Sequence, residues 1–155
     1  MSDFIELKLK YGPVIIQMFP EKAPQHCNAI KHLINGGFYN GLKWHRVIPG
    51  FMAQTGCPFG TGVGGVNFKL PAEFNNLNHI RGTCSMARSN DPNSASSQFF
   101  ICFDPVPSLD NKYTVWGQVI EGMEFVDQIK KGTAQNNGTV TDPDRILYMA
   151  LVNHD

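Results

Sequence analysis

One arginine set among apolar and amide side chains is the strongest chemical signal in this sequence. Residues 44–54 read WHRVIPGFMAQ, so that Arg46 lies close along the chain to Phe51, Met52 and Gln54. A guanidinium beside a phenyl ring, a thioether and an amide is an unusual mixture for a protein surface. An arginine solvated at a strand edge, next to ordinary core residues, would produce the same pattern. This segment alone therefore leaves both a binding site and a plain strand edge open.

A second apolar segment, residues 97–103, favours the binding site. If Phe99 and Ile101 point into a core, the alternation of a strand places Gln98 and Phe100 together on the opposite face. An outward phenylalanine is either covered by a loop or left open as part of an apolar pocket.

Together the two segments predict a small apolar pocket with a polar rim. Its wall would consist of Phe51, Met52, Phe100 and Leu109, and its rim of Arg46, Gln54 and Gln98. Such a pocket suits a small apolar ring attached to a polar backbone, and proline within a peptide is such a ring.

A glycine-rich stretch suggests a different chemistry. Residues 60–65 spell GTGVGG, a literal match to the dinucleotide fingerprint GxGxxG. The fingerprint requires a helix directly after it, whereas residues 66–71 read VNFKLP, which is short and β-like. We therefore predict a surface loop that uses the freedom of glycine to adopt positive φ, and keep nucleotide binding as a minor alternative.

Short strands must position these residues. Alternating patterns predict strands at residues 4–10 and 14–19, joined in a hairpin by Tyr11-Gly12-Pro13. Further apolar runs predict strands, which lie at residues 42–47, 83–87, 97–103, 113–119 and 145–152. In the run at 42–47, Trp44 would share a face with Arg46, and His45 would point the other way with Val47.

Two helices interrupt the strands. Ala23, Cys27, Ile30 and Ile34 form a helical stripe that Pro24 can begin and Gly36-Gly37 can end. A second helix is predicted from Glu121 to Lys131, followed by Gly132. Many short strands, two helices and no βαβ rhythm indicate a mainly β fold, a closed antiparallel barrel with helices covering its ends.

Charge and composition exclude several classes of protein. The 155 residues carry 13 Lys and Arg against 13 Asp and Glu, without the basic excess typical of nucleic-acid binding. A hydrophobic fraction of 42% excludes a disordered chain. This length suits one core, so we predict a single domain over residues 1–155.

The cysteines and the N-terminus indicate a cytoplasmic protein. The first ten residues, MSDFIELKLK, contain neither a signal peptide nor a membrane anchor. The four cysteines show no metal-type spacing and are expected to be reduced thiols. Of these, Cys57 in a Gly-Pro loop is the thiol to test for reactivity, and the sequon at Asn137 is a chance match.

Three segments carry a resemblance to a known family. They are WHRVIPGFMAQTG at residues 44–56, SMARSNDPNSASSQFFICF at 85–103 and LDNKYTVWGQVIEGM at 109–123. They are similar to the cyclophilin family of peptidyl-prolyl cis-trans isomerases, and the likeness runs from the first hairpin to the closing strand. The compact loops resemble the bacterial cytosolic type. The resemblance implies an eight-stranded antiparallel barrel capped by two α-helices, and rotamase activity that assists protein folding.

Carried over position by position, the resemblance makes Arg46 and Gln54 the catalytic pair. Arg46 would stabilise the twisted amide, and Gln54 would hold its guanidinium in orientation. The implied substrate-binding residues are Phe51, Met52, Phe100, Leu109 and Tyr113 in the pocket, Gln98 as a polar partner, and Ala87 and Arg88 on the edge that holds the substrate backbone. No cofactor or metal is implied. Because arginine stays charged, the rate should be nearly flat around neutral pH, and a bell-shaped profile would implicate His45.

The sequence departs from the family at several of these positions. Arg88 replaces a frequent Asn and adds a charge, and Tyr113 stands where many eukaryotic relatives have His. Ser108 stands where relatives have Trp or another aromatic residue, which predicts weakened binding of cyclosporin-type ligands. The loop at residues 56–59 reads GCPF instead of the usual Gly-Asp-Pro-Thr of bacterial relatives.

The expected partners are proline-containing peptides and unfolded or folded protein clients, with neither nucleic acid nor membrane, and the chain is expected to be a monomer. A non-catalytic module that holds proline-containing segments would use the same pocket. Only Arg46 and its support by Gln54 favour catalysis over that alternative.

Overall fold

The computed structural model describes residues 3–153, in which eight strands and two α-helices form. The strands are β1 (Phe4–Leu9), β2 (Gly12–Met18), β3 (Arg46–Ile48), β4 (Met52–Thr55), β5 (Thr83–Met86), β6 (Phe99–Cys102), β7 (Val115–Glu121) and β8 (Tyr148–Val152). The helices are α1 (Pro24–Asn35) and α2 (Met123–Val126), and short 3-10 turns lie at Pro107–Leu109 and Ala134–Asn136.

The eight strands form one antiparallel sheet with the order β3-β4-β6-β5-β7-β2-β1-β8. The predictions of a mainly β fold and of antiparallel pairing are confirmed. The predicted closure is corrected, because the edge strands β3 and β8 do not pair and the sheet is an open half-barrel. Isolated contacts, such as the bridge between Lys43 and Arg145, span the gap. Closure depends on the tilt and stagger of whole strands, which alternation within one strand does not reveal.

The predicted hairpin of β1 and β2 is confirmed. Leu7 pairs with Val14, and Leu9 pairs with Gly12 at the turn. The β1 residues Ile5, Leu7 and Leu9 are at most 1% exposed. A side chain at position 12 would overlap the ring of Phe125, since its Cβ would lie 2.6 Å from the ring carbons, so glycine lets α2 pack closely on β2.

The first helix is confirmed, and the second is shorter than predicted. Helix α1 begins at Pro24, and the whole predicted stripe is buried. Helix α2 ends at Val126 instead of reaching Lys131. The amide of Asp127 still bonds four residues back, but the amide of Ile129 bonds three residues back to Val126, so the helix tightens into turns. At its start, Glu121 still belongs to β7.

Strands β4 and β6 separate two apolar clusters. The main core lies on one face and includes Ala53, Phe99 and Ile101. The other face carries the pocket cluster, which consists of Met52, Phe100 and Cys102 with the partly buried side chains of Ile48, Phe51, Ala87, Val106, Leu109 and Tyr113 around it. The predicted alternation in residues 97–103 is therefore confirmed.

The run at residues 42–47 differs from its prediction. Strand β3 begins only at Arg46, and Trp44 is fully buried in the main core, where it meets the ring of Phe99 edge-on. The prediction that Trp44 shares a face with Arg46 is wrong, because alternation applies only inside a continuous strand. Strand β4, which pairs Gln54 with Arg46, was not predicted as a separate strand.

Candidate functional site

A small cavity opens on the face of the sheet that carries the pocket cluster. Its volume is about 100 Å³. It is lined by Arg46, Phe51, Met52, Gln54, Ala87, Arg88, Phe100, Leu109 and Tyr113. Of the predicted site residues, only Gln98 is not in its lining, and this residue lines a larger neighbouring cavity. Strands β3, β4 and β6, the residues directly after β5 and the segment at residues 107–113 thus bring distant parts of the chain to one place.

The guanidinium of Arg46 is held from two sides. Nη1 donates to Oε1 of Gln54 at 3.1 Å, across the β3-β4 pair. On its other side, Nε donates to the backbone oxygen of Asn137 at 3.0 Å, and Nη2 donates to Oδ1 of the same residue at 3.0 Å. A guanidinium carries five N–H groups, so these three bonds leave one on Nη1 and one on Nη2 for other acceptors.

Asn137 is the site residue that the sequence analysis missed. It follows the 3-10 turn Ala134–Asn136 and adopts a left-handed φ of 60°, which asparagine tolerates. Gly138 follows with a φ of 77°, and a Cβ there would lie 2.5 Å from Ile48 Cγ1 and 3.2 Å from Arg46 Cγ. The Asn-Gly pair, a turn signal, could have indicated the sharp bend, though not its partner 91 residues away.

Two glutamines extend the network behind Arg46. Gln54 donates from Nε2 to Oε1 of Gln98 at 2.9 Å. Gln98 in turn donates from Nε2 to the carbonyl oxygens of Gly62 and Gly64, at 2.9 and 2.8 Å. The orientation of both amides follows from the ends of this chain, since arginine only donates and backbone carbonyls only accept.

The apolar wall is braced from behind by His79. Phe100 stacks on the ring of His79, with centroids 6.1 Å apart and planes at 17°, and meets Tyr113 edge-on at 5.8 Å. His79 also binds Oδ1 of Asp110 through its backbone amide at 2.7 Å, with its ring Nδ1 3.0 Å from the same oxygen. Asp110 directly follows Leu109, so the same histidine supports both Phe100 and the turn that carries Leu109.

Arg88 forms a charged side of the small cavity. Its guanidinium carbon lies 4.6 Å from the ring centroid of Tyr113. Nε and Nη2 donate to the backbone oxygen of Lys112 at 2.9 and 2.6 Å, and Nη1 donates to that of Ser89 at 3.0 Å. The cation is thus fixed by carbonyl oxygens and an aromatic face.

The larger cavity, about 530 Å³, adjoins the small one through Gln54, Ala87 and Arg88. One of its walls is the glycine-rich loop at residues 60–65, which contains no helix and is followed by none, as predicted. Gly60 and Gly62 have φ of 68° and 90°. The charged side chains that line this cavity, Lys69 and Arg88, are both cationic.

Burial acts on the ionisable groups near Arg46. It lowers the pKa of Arg46, which still remains charged near neutral pH. It also lowers the pKa of His45, and the positive charge of Arg46 adds to that effect. His45 is 8% exposed, which favours a packed neutral ring. Among residues 3–153, no three metal-ligating side chains converge, and no helix is long and apolar enough to cross a membrane.

Comparison with known proteins gives one consistent family. A family model described as cyclophilin type peptidyl-prolyl cis-trans isomerase/CLD matches residues 4–150. A probable peptidyl-prolyl cis-trans isomerase of Brucella suis is 52% identical over 157 residues, which cover 94% of this chain and 80% of the relative. A peptidyl-prolyl cis-trans isomerase of Synechococcus elongatus is 42% identical over 146 residues and 94% of each chain.

A solved structure shows the same fold. It is the cyclophilin type peptidyl-prolyl cis-trans isomerase of Cryptosporidium parvum, determined in the presence of the dipeptide Ala-Pro. The two chains superpose with a TM-score of 0.89 at 27% identity, covering 97% of this chain and 99% of the other.

Proposed function

The chain belongs to the cyclophilin-type peptidyl-prolyl cis-trans isomerases. We propose that it isomerises X-Pro peptide bonds in the small cavity, with Arg46 as the catalytic residue. The observation that carries this proposal is the guanidinium of Arg46, held by three hydrogen bonds beside an apolar cavity. A cavity without such a donor would suit a module that only binds proline.

The chemical task is to lower a rotational barrier. The barrier to rotation about a peptide bond is about 18–20 kcal/mol, because the nitrogen lone pair is shared with the carbonyl. An X-Pro bond isomerises unaided in tens to hundreds of seconds, and the two planar forms differ little in free energy. Acceleration by about four decades requires roughly 5–6 kcal/mol of stabilisation that applies to the twisted state only. This requires no nucleophile and no proton transfer.

Arg46 supplies that selective stabilisation. In the twisted state the prolyl nitrogen becomes pyramidal and regains a lone pair that accepts a hydrogen bond. The N–H groups of Arg46 that Gln54 and Asn137 leave unoccupied can donate to this nitrogen, or to the rotating carbonyl. Because the guanidinium is already fixed, it loses little freedom when the bond twists.

The pocket holds the ring still while the preceding carbonyl swings. Phe100 and Met52 are 4% and 1% exposed and form the floor, and Phe51 and Leu109 flank it. An apolar floor favours the proline ring over polar side chains. The substrates are proline-containing peptides and protein clients, which the Ala-Pro dipeptide present with the Cryptosporidium parvum relative supports. The whole of residues 1–155 serves as one isomerase domain, acting on clients during folding in the cytoplasm.

Exchange spectroscopy on a proline peptide tests the proposal. The wild-type protein is expected to accelerate cis/trans exchange, and Arg46→Ala is expected to lose most of that acceleration with an unchanged fold. Arg46→Lys keeps the charge but not the fork of donors, so it should remain well below wild type.

The matched control is Arg81→Ala, which removes another arginine that is paired with Asp127 outside the cavity. This variant should accelerate cis/trans exchange as much as the wild-type protein does. Peptide shift changes without acceleration by the wild-type protein would identify a binding module instead. Near-normal acceleration by Arg46→Ala would refute the assignment of Arg46.

A further inference from the structure

The glycine-rich loop at residues 60–65 is held from two sides. On one side, the amides of Gly62 and Gly64 both donate to Sγ of Cys57, each at 3.3 Å. On the other side, the carbonyl oxygens of the same two glycines both accept from Nε2 of Gln98. The loop therefore lies between the sulfur of Cys57 and the side-chain amide of Gln98.

Gln98 passes this placement on to the catalytic arginine. Both hydrogens of its Nε2 are donated to the loop, so its Oε1 is the atom that faces Gln54. Gln54 donates to that oxygen from Nε2, which leaves its own Oε1 directed at Arg46. If the loop moved, Gln98 would lose both acceptors and could rotate its amide. Gln54 would then lose the acceptor that keeps its own oxygen directed at the guanidinium.

We propose that Cys57 is a positioning residue for Arg46, acting through the loop at residues 60–65, Gln98 and Gln54. The inference rests on the proposed function, since it assumes that Arg46 is catalytic. Cys57 touches neither cavity, so its contribution is to anchor the loop whose carbonyls hold Gln98. Gln98 accordingly acts in the support of Arg46 in addition to lining the larger cavity.

The surroundings of Cys57 suit an anchor. The residue is fully buried. Although burial disfavours its thiolate, backbone amides of Thr61, Gly62, Gly64 and Phe59 point at the sulfur and lower the pKa of the thiol to about 7. The other three cysteines lack such a set of donors, and burial raises the pKa of Cys27 to about 12. A sulfur that carries negative charge accepts amide hydrogen bonds more strongly than a thiol does.

The loop also has little freedom to find another anchor. Gly56, directly before Cys57, has a φ of 95°, and a Cβ there would lie 2.4 Å from the backbone oxygen of Ser97. The hydroxyl of Ser97 donates to the carbonyl of Gly56 at 2.7 Å. Because Ser97 directly precedes Gln98, the base of the loop and the segment that carries Gln98 into β6 are fixed to each other.

Substitution of Cys57 separates positioning from simple stability. Cys57→Ala removes the acceptor and is expected to lower kcat about tenfold with little change in KM, because the proline pocket stays intact while the guanidinium loses the support of Gln54. Cys57→Ser keeps an acceptor and is expected to recover at least part of that loss. The matched control is Cys27→Ala, a buried thiol on α1 that donates to Trp116 and should leave kcat unchanged.

A spectroscopic measurement follows the arginine directly. In the wild type and in Cys27→Ala, the Nη1–H resonance of Arg46 should be narrow and slow to exchange with solvent, because Nη1 donates to Oε1 of Gln54, the last member of the path from Cys57. In Cys57→Ala it should broaden and exchange faster. A folded Cys57→Ala with the kcat and the Arg46 resonance of the wild type would overturn the inference, and so would equal losses in Cys57→Ala and Cys57→Ser.

Arg46→Ala and Cys57→Ala together distinguish a failure of the proposed function from a failure of the positioning role of Cys57. If Arg46→Ala retains activity, the proposed function is wrong whatever Cys57 does. If Arg46→Ala is inactive while Cys57→Ala matches the wild type, Arg46 keeps its role and only the positioning role of Cys57 is wrong.

Discussion

Asn137 accepts two hydrogen bonds from Arg46, one at its backbone oxygen and one at its side-chain oxygen, each at 3.0 Å. Both acceptors come from one residue because its left-handed backbone turns the carbonyl and the side chain toward the same neighbour. The arginine is therefore oriented by two elements: the strand that carries Gln54 and a turn from the far end of the chain.

This relationship predicts a graded loss in Asn137 variants. Asn137→Gly tolerates the positive φ and keeps the backbone acceptor, but it loses Oδ1. Loss of one hydrogen bond to a charged group corresponds to about 1–2 kcal/mol, so kcat/KM should fall by about five- to thirtyfold. Asn137→Asp retains both acceptors and should stay closer to wild type. Steady-state kinetics on a proline peptide measures both, and equal activity in Asn137→Gly and wild type would contradict the prediction.

Arg88 predicts a preference for acidic substrates. No salt bridge joins it to a carboxylate within the described part of the chain. It lines both cavities, with Lys69 as the other cation of the larger one and Arg46 as the other cation of the smaller one. Peptides with Glu next to the X-Pro pair should therefore be turned over with a kcat/KM about threefold higher than peptides with Lys. The ratio should shrink in high salt and in Arg88→Gln, but not in Arg81→Gln. If this ratio of kcat/KM values is unchanged both in high salt and in Arg88→Gln, the charge of Arg88 does not affect substrate preference.

Ser108 predicts weak binding of cyclosporin. It is exposed in the 3-10 turn beside Leu109, at the position where the family often carries tryptophan. A hydroxymethyl group offers neither the apolar surface nor the N–H of an indole. We expect the wild type to bind cyclosporin more weakly than nanomolar, and Ser108→Trp to bind it at least tenfold more tightly, by titration calorimetry. Nanomolar binding by the wild type would refute this interpretation.

Cys57 predicts a pH-dependent contribution to stability. Its pKa is about 7 in the folded protein against an ordinary value of 9.0. A depressed pKa means that folding favours the thiolate, so this stabilisation is complete above pH 9 and disappears as the pH falls through 7. The shift of about two units sets an upper limit of roughly 3 kcal/mol. The difference in unfolding free energy between wild type and Cys57→Ala, from denaturant titrations, should therefore grow between pH 6 and 9.

Other titrating groups must be separated from that effect. His45 lies beside Gly62 and so contacts the loop that Cys57 holds. Burial lowers the pKa of His45 and of His79. Each of them therefore reduces the stability of the folded protein as the pH falls below the ordinary histidine pKa. The contribution of His79 is common to wild type and variant and cancels in the difference, and that of His45 changes only below its ordinary pKa of 6.5. A difference that stays constant between pH 6.5 and 9 would contradict the role of the thiolate.

The same titration modifies the expected rate profile. Arg46 stays charged, which by itself predicts a flat profile near neutrality. Formation of the Cys57 thiolate adds a shallow rise through pH 7 in the wild type, which Cys57→Ala should lack.

Local patterns predicted the local structure well. The stripe of α1, the hairpin of β1 and β2, and the inward and outward alternation around Phe100 all follow from side-chain period, because burial of one face is what selects these elements. The predicted grouping of Arg46 with Phe100 came from reading the two apolar segments together, and the family resemblance then implied the roles of the residues.

The remaining features depend on distances along the chain that no local pattern encodes. Asn137 accepts hydrogen bonds from Arg46 although the two residues are 91 positions apart. The tripeptide Asn-Gly-Thr contains no signal that distinguishes a turn bound to an arginine from an ordinary surface turn. The open gap between β3 and β8 reflects how the whole sheet twists and staggers. Trp44 enters the core because the chain is irregular until β3 begins, so its direction could not be counted from Arg46.

Strand β6 gives the site a second set of determinants. Phe99 and Ile101 lie in the main core, whereas Phe100, between them, lines the small cavity. A substitution that changes the volume of a core residue packed against Phe99 shifts the backbone of β6, because interiors are close-packed. That shift also moves Phe100, which is adjacent to Phe99 in the strand. Substrate preference can therefore be changed by substitutions inside the protein that never contact the substrate.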